Sequence, residues 1–246
     1  MQTQHENRRM LHRTGVLLVH GLNGSLYDME ELTGFLVSHG IVTLNALLPG
    51  HGTRARDRFP VDWSECSYVI HKELLKLKQW CEYVFLVGHS SGGALCLHVA
   101  ASEPVTGIIT MCAPIYVYPW MFPAMRLLKH FTPVAPNVRE DLRSYEARRR
   151  YTHQLHSKSP LAPAENYLPS LRAALPSITA PALIMTAIHD HVVPARDAQA
   201  IYRLIGSQEK YLVKFRRSYH LLMKDHDREE VFARTLHFIQ SHAHRV

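Results

Sequence analysis

The chain has no long apolar run. A helix needs about 20 consecutive apolar residues to cross a bilayer, and no stretch of the 246 residues approaches that length. The opening segment, MQTQHENRRMLHRTG, is polar and lacks the apolar centre of a secretory signal peptide. These absences argue against a membrane-spanning helix and predict a cytoplasmic location without stable membrane insertion.

Cysteine is scarce and widely spaced. The four cysteines, Cys66, Cys81, Cys96 and Cys112, occur singly and form no CxxC pattern. This spacing disfavours a zinc site or a redox pair, so we expect four reduced thiols packed in helices and strands. No metal site is predicted.

Acidic residues are fewer than basic ones, 21 against 28, and the formal net charge is +7. A basic balance can attract nucleic acid, but lysine and arginine are scattered, apart from one cluster at Arg139, Arg143 and residues 148–150. The sequence contains no DNA-binding motif, and a solvated helix face is the better explanation of the cluster. We therefore predict no nucleic-acid partner.

Two kinds of segment alternate along the chain. Short continuous apolar runs, typical of strands buried on both faces, are followed by segments of helical periodicity. This alternation predicts an α/β fold in which helices flank a mostly parallel sheet, in a single domain over residues 1–246. The predicted strands cover residues 14–20, 41–46, 84–87, 107–111, 182–187 and 211–215. The predicted helices cover residues 28–38, 62–80, 91–101, 195–204 and 228–241.

One long segment, residues 114–176, breaks the alternation. It is rich in proline and contains the aromatic stretch IYVYPWMF and the charged stretch REDLRSYEARRRY. A connection of this length between regular βα units is usually functional, so we predict a small helical cap inserted within the domain. Its apolar residues either line a substrate pocket or only pack the cap onto the core. The pocket candidates in the cap are Tyr116, Trp120, Met121 and Phe122.

A serine nucleophile is predicted at Ser90. The stretch GHSSG, residues 88–92, follows the apolar run VFLV and precedes a helical segment, which is the context of a nucleophile elbow. A strained turn at Ser90 would crowd the positions two before and two after it, and Gly88 and Gly92 leave the necessary room. The alternative, an ordinary glycine-rich turn, is disfavoured by the flanking strand and helix.

A serine hydroxyl needs a base to take its proton and a carboxylate to orient that base. The chain has 18 histidines, and His220 is the candidate because it lies between the last predicted strand and the last helix. The rivals, His226 and His237, fit positions on that helix. The candidate carboxylate is Asp190, which follows the preceding strand. Its neighbours His189 and His191 have poor spacing for a metal site, so we expect supporting or surface roles for them.

Backbone donors are predicted beside Ser90. The HG turn at residues 20–21 ends the first strand, where such turns commonly supply an oxyanion donor, so the amides of Leu22 and Ser91 are the candidates. The helix that follows Ser90 adds partial positive charge at its N-terminus. His51 lies between two glycines in PGHGT, and we expect it to organise the pocket rather than transfer a proton.

The segments HGLNGS, PGHGT, GHSSG, HDHVVP and SYHLLMKDHDREEV resemble those of bacterial carboxylesterases and monoacylglycerol lipases of the α/β-hydrolase superfamily. The resemblance begins near residue 15 and reaches the C-terminus. It implies an α/β-hydrolase fold with a small cap, and hydrolysis of short to medium acyl esters or of monoacylglycerols without a cofactor. Matched by motif, Ser90, Asp190 and His220 are the catalytic triad, and Leu22 and Ser91 supply the oxyanion amides.

The chain departs from this pattern in three places. Tyr219 precedes His220 where many relatives have glycine, and Leu22 stands where relatives often carry an aromatic residue. The first strand begins after about 13 residues, which implies a sheet reduced at its N-terminus, with residues 8–11 as an irregular edge.

Other substrates and a non-catalytic role remain open. The same triad also serves thioesters, amides and carbon–carbon bonds, and a ligand-binding receptor without turnover is a further alternative. The expected partner is a small-molecule ester. The cap aromatics allow transient contact with a lipid interface, and the oligomeric state is left open.

Overall fold

The computed structural model describes residues 13–21, 24–51, 62–116, 141–152 and 167–243. Within them, six strands form one parallel sheet, namely β1 Thr14–Val19, β2 Val42–Ala46, β3 Tyr83–His89, β4 Gly107–Met111, β5 Ala182–Ala187 and β6 Lys210–Phe215. The helices are α1 Leu26–Ser38, α2 Trp63–Trp80, α3 Ser91–Ala100, α4 Tyr145–Thr152, α5 Tyr167–Ala174, α6 Arg196–Leu204 and α7 Arg228–His242, with short 3-10 turns at Leu175–Ser177 and Leu222–Lys224. None of the described helices is both long and apolar enough to cross a membrane.

The strand order is β2-β1-β3-β4-β5-β6. The chain leaves β1 toward β2 on one side and returns as β3 on the other side, so the direction of winding reverses between β1 and β3. Such a reversal leaves a crevice outside the carboxyl ends of the two strands. Val19 pairs with Gly88 in register, and the residues that follow each strand therefore meet at this crevice.

The core lies on both faces of the sheet. Successive side chains of a strand point to opposite faces, so Leu17 and Val19 join one apolar cluster while Val16 and Leu18 join the other. Helices α2, α3, α5 and α6 contribute to the first cluster, and α1 and α7 to the second. Burial on both faces explains why the four inner strands, β1, β3, β4 and β5, appear as largely apolar runs in the sequence.

The predicted elements are confirmed, and their ends differ from the predicted ones by no more than two residues. Capping side chains mark the starts of two helices, α1 and α2. Ser25 accepts a hydrogen bond from the Tyr27 amide and forms a capping box with Asp28, so α1 begins at Leu26. Asp62 accepts from the Ser64 amide at the start of α2. The four cysteines are free and buried.

The predicted cap lies only partly within the described residues. Two helices, α4 and α5, fall in the interval 114–176. Within the charged stretch, helix α4 begins at Tyr145, where the Ser144 hydroxyl accepts the Ala147 amide. Asp141 and Leu142 before it are buried. Residues 8–11, 117–140 and 153–166 lie outside the described part of the chain, so the irregular edge, the cap and the single-domain organisation stay predictions.

Candidate active site

Ser90 lies in the sharp turn between β3 and α3. Its backbone angles are φ 52° and ψ −127°, a region that residues with a side chain rarely adopt and that costs about 1–3 kcal/mol. A serine at a helix N-cap usually bonds to an amide of the first turn. Ser90 makes no such bond, so its hydroxyl is not used to cap α3.

Glycines surround this turn because the backbone segments approach closely. A Cβ atom on Gly92 would lie 2.3 Å from the carbonyl oxygen of His20. A Cβ atom on Gly88 would lie 2.5 Å from the carbonyl oxygen of Gly92. Neither position has room for a side chain unless β1, β3 and α3 move apart.

Asp190 and His220 form a buried pair beyond the ends of β5 and β6. His220 Nδ1 donates to Asp190 Oδ2 at 2.8 Å, and both side chains are 0% exposed. Asp190 Oδ1 accepts the amides of Val192 and Val193, each at 2.8 Å. An ionised carboxylate only accepts hydrogen bonds, so Nδ1 carries the hydrogen and Nε2 of the neutral ring has a lone pair. Nε2 is buried and has no hydrogen-bond partner among the described residues.

The charge on Asp190 is stabilised by its neighbours. Burial alone would raise the pKa of this carboxyl group, but the charge and the hydrogen bond of His220, with the amides of Val193 and Val192, outweigh it. The pKa of Asp190 therefore lies below its ordinary value. An ionised Asp190 can stabilise the imidazolium that forms when His220 takes up a proton.

Cys112 follows β4 and lies beside the Asp190–His220 pair. Its thiol is hydrogen-bonded to Asp190, and burial followed by the charge of Asp190 raises the pKa of the thiol well above its ordinary value. Ligand atoms of Cys112, Asp190 and His220 lie within 4.8 Å of one another, close enough for a metal ion. Because the thiol is hydrogen-bonded to Asp190 and Asp190 accepts from His220, we interpret the group as a hydrogen-bond chain.

His89 lies directly before Ser90 and contacts His220. Its Nε2 donates to the carbonyl oxygen of His220 at 3.1 Å, and the two ring centroids are 4.7 Å apart. Burial, reinforced by the charge of His220, lowers the pKa of His89 to about 3. His89 is therefore neutral at ordinary pH and adds no positive charge beside His220.

Asp141 lies against both loops that carry the pair. Its Oδ2 accepts the amide of His220 at 3.1 Å and the amide of His191 at 3.2 Å. Its Oδ1 is paired with the His191 ring at Nδ1. One carboxylate thus joins the loop after β5 to the loop after β6.

Comparison with known proteins adds the family. A family model described as the alpha/beta hydrolase family matches residues 16–234. The chain belongs to the α/β-hydrolase family. It is 30% identical over 230 residues to a thermostable monoacylglycerol lipase of Bacillus sp. strain H-257, and the aligned residues cover 93% of this chain and 91% of the relative. It is 25% identical over 235 residues to a carboxylesterase of Bacillus subtilis strain 168, with 92% of each chain covered.

Solved structures have the same fold as this α/β hydrolase. One of the metagenome-derived lipolytic enzymes LipS and LipT superimposes with a TM-score of 0.79 at 29% identity, covering 94% of both chains. A monoacylglycerol lipase of Paleococcus ferrophilus superimposes with the same TM-score, 0.79, at 21% identity, covering 94% of this chain and 95% of the other. The expected fold and the expected enzyme class, a carboxylic ester hydrolase, are confirmed.

The predicted oxyanion donors are only partly described in this α/β hydrolase. Ser91 is the first residue of α3, so its amide precedes the hydrogen-bond ladder of the helix. Leu22 lies outside the described residues. His20 bonds to loop backbone, because Nδ1 donates to the Gly21 carbonyl and Nε2 accepts the Leu48 amide.

Only some of the candidate pocket residues lie within the described part of the chain. His51 is buried in a tight turn, where Nδ1 donates to the Pro49 carbonyl and burial lowers the pKa of the ring. Tyr116 is partly buried on the core, and the Arg172 guanidinium lies 4.8 Å from the centroid of its ring. Trp120, Met121 and Phe122 lie outside the described residues, so the pocket stays a prediction.

The four other histidines considered above as candidates have supporting or surface positions. His189 and His191 are exposed, and the His191 ring pairs with Asp141. His237 is exposed on α7, and His226 lies two residues before that helix begins. The position of His237 agrees with its interpretation as a residue of the last helix, whereas His226 lies before that helix rather than on it.

Sequence reasoning missed three side chains around His220. His89 had a signal, since it is the residue before the serine in GHSSG. Cys112 had only its place after a predicted strand. Asp141 lies among the basic residues of the cluster at residues 139–150, and no pattern in the sequence singled it out, although it is buried against His191 and His220.

Proposed function

We propose that the chain is a serine esterase or lipase in which Ser90 is the nucleophile, His220 the general base and Asp190 the carboxylate that orients it. The observation that carries the proposal is the buried hydrogen bond from His220 Nδ1 to Asp190 Oδ2, at 2.8 Å, with Nε2 of the same ring left without a described partner. The strained Ser90 turn supports it, because the serine hydroxyl does not cap the helix that follows.

The chemistry proceeds through an acyl-enzyme. His220 Nε2 takes the proton of Ser90, whose Oγ attacks the ester carbonyl carbon. The tetrahedral intermediate collapses when His220 gives that proton to the leaving alcohol. A water molecule then attacks the acyl group, its proton passes to His220 and on to Ser90 Oγ, and the carboxylic acid leaves.

The negative charge of each intermediate needs donors close to the turn. In our proposal the amides of Leu22 and Ser91 bind this oxyanion. The position of Ser91 at the first residue of α3 supports its part, since amides of the first helical turn have no intrahelical acceptor and the helix dipole favours negative charge there. Donors fixed in advance can contribute a factor of about 100 to 1,000 in turnover.

The proposed substrates are short to medium acyl esters, including monoacylglycerols. The monoacylglycerol lipase and carboxylesterase relatives support this range. The alcohol group, the acyl chain length and the distinction from a thioester or amide depend on a pocket whose predicted residues lie partly outside the described chain. Four free, buried cysteines support the cytoplasmic location, since structural disulfides are uncommon in that compartment.

The test is hydrolysis of p-nitrophenyl esters of increasing acyl length beside monoacylglycerols and a matched thioester, by the unmodified protein and by Ser90→Ala. We expect the unmodified protein to prefer oxygen esters, with kcat/KM highest for a short or medium chain. Ser90→Ala should lose at least about 1,000-fold in kcat, because the covalent route is removed, while its melting temperature is retained. Near-normal turnover by folded Ser90→Ala would overturn the assignment of the nucleophile, and preference for the thioester would overturn that of the substrate.

A further inference from the structure

The main chain of His220 is held from both sides. Its amide donates to Asp141 Oδ2 at 3.1 Å, and its carbonyl accepts from His89 Nε2 at 3.1 Å. Both partners are buried side chains that belong to neither the proposed triad nor the oxyanion hole. Main-chain groups of connecting loops commonly face water, so two buried side-chain partners on one loop residue restrict its position strongly.

The same oxygen of Asp141 also binds the loop that carries Asp190. Oδ2 accepts the amide of His191 at 3.2 Å, and His191 is the residue directly after Asp190. Oδ1 is paired with the His191 ring, which sets the orientation of the carboxylate, and the Asp141 side chain is only 10% exposed. A single atom therefore fixes the spacing between the loop that carries Asp190 and the loop that carries His220.

We propose that Asp141 and His89 are positioning residues for His220. They hold its main-chain amide and carbonyl groups, so that the ring stays aligned between Asp190 and Ser90. This role rests on the proposed function, in which His220 is the general base. Proton transfer needs heavy atoms within about 2.6–3.2 Å of each other. A loop shift of about 1 Å can cost about 100-fold in rate.

The chemistry of each partner suits a group next to a base that becomes positively charged. His89 is neutral, since burial lowers its pKa to about 3, so it gives a hydrogen bond without opposing the imidazolium. A lysine or arginine in its place would add a charge of the same sign. Asp141 accepts two amide hydrogens, and removal of the side chain would leave two donors unpaired beside the reacting groups.

The first test compares Asp141→Ala with Asp141→Asn in ester hydrolysis. We expect Asp141→Ala to lower kcat by about 10- to 100-fold with KM within about twofold, because the base is misplaced and substrate binding is not. Asparagine keeps one acceptor oxygen for the two amides, so Asp141→Asn should recover most of the lost kcat. Equal kcat values for Asp141→Ala and the unmodified protein would overturn the positioning role, as would an Asp141→Asn variant as slow as Asp141→Ala.

Asp227→Ala is the matched control. Asp227 is a buried carboxylate of the same loop region that accepts the amide and the Nε–H of Arg217, but it does not hold the His220 peptide. We expect it to lower the melting temperature with kcat retained within about threefold. A loss of kcat equal to that of Asp141→Ala would mean that any destabilisation of this region slows the enzyme, and would overturn the proposal.

The second test changes the other partner and remains informative if Asp141→Ala does not fold. A glutamine amide can donate at about the place of Nε2, so His89→Gln should turn over faster than His89→Leu by at least about fivefold. Equal rates would overturn the proposal.

Ser90→Ala, measured in parallel, distinguishes failure of the proposed triad from failure of the positioning role. If it retains turnover, the triad and the positioning role are both wrong. If it is inactive while Asp141→Ala is normal, only the positioning role is wrong.

Discussion

Asp190 receives hydrogen bonds from the amides of Val192 and Val193, from His220 Nδ1 and from the Cys112 thiol. These donors offset the cost of burying a carboxylate, and the pKa of Asp190 falls although burial opposes it. His89 shows the reverse balance, because burial and the charge of His220 outweigh its one hydrogen bond to a carbonyl. One buried group is thus charged and its neighbour neutral.

These pKa directions predict the shape of the acid limb of activity. Because the pKa of Asp190 is lowered, this carboxylate stays ionised as the pH falls into the acid range. The logarithm of kcat/KM should therefore fall with a slope of about one toward acid pH, since one protonation, that of the general base, blocks the reaction. The measurement is kcat/KM for one p-nitrophenyl ester across the acid range in which the protein stays folded.

The Asp190→Asn variant tests the role of Asp190 separately from that of the general base. Its amide would face His220 Nδ1 and favour the tautomer with the hydrogen on Nε2, which cannot accept a proton from serine. We expect kcat to fall by about 1,000- to 10,000-fold. A slope of two in the unmodified protein, or near-normal turnover by Asp190→Asn, would contradict the role of this residue.

The sequence supports these residues unequally. Ser90 is predictable because a strained turn needs glycines at fixed distances, and those are adjacent in the chain. Asp190 and His220 follow from their places after strands. Asp141 is not predictable in this way, since its partner His220 is 79 residues away and a buried aspartate in a charged stretch looks like a solvated one.

At the scale of elements, strands were easier to predict than helix ends. A strand buried on both faces is a continuous apolar run, and in β4 and β5 the run itself marks the extent of the strand. Strand β3 continues two residues beyond its predicted end, through Gly88 and His89 to the Ser90 turn. The end of a helix can depend on a single polar side chain, and α1 begins two residues before its predicted start because Ser25 caps it. Helix α5 was not predicted individually, because it lies among the prolines of the interval 114–176.

Two glycines in helices predict opposite effects of the same substitution. Gly34 lies exposed in α1, and a Cβ atom there meets no described atom within 4 Å, so Gly34→Ala should raise the free energy of unfolding by about 0.5–1 kcal/mol. Gly92 in α3 faces the His20 carbonyl oxygen, and Gly92→Ala would push α3 away from β1. We expect it to lower kcat by about 100-fold, because the Ser90 turn moves with the helix.

Thermal unfolding and ester hydrolysis of both variants check this pair. Gly34→Ala should keep its activity while its melting temperature rises, and it serves as the control for alanine in a helix. Normal turnover by Gly92→Ala would show that the turn tolerates displacement, which the close approach of β1 and α3 does not allow.

At the scale of the whole molecule, the sheet brings the proposed site together. Ser90, Cys112, Asp190 and His220 follow β3, β4, β5 and β6 in turn, and parallel neighbours end at the same edge of a sheet. The alternation of strands and helices predicts this edge, and therefore which loops can meet. It does not predict which side chains within those loops come into contact, and the substrate pocket depends on cap residues that lie partly outside the described chain.

The measurement that tests the central claim most directly is labelling of the intact protein with a fluorophosphonate, followed by mass mapping of the modified peptide. Such a reagent phosphonylates a serine that is activated by a base. We expect one label, on Ser90, lost in Ser90→Ala and formed much more slowly in Asp190→Asn, while Gly34→Ala is labelled at the normal rate. A label on another residue, or no label on a folded protein that hydrolyses esters, would contradict the proposed triad.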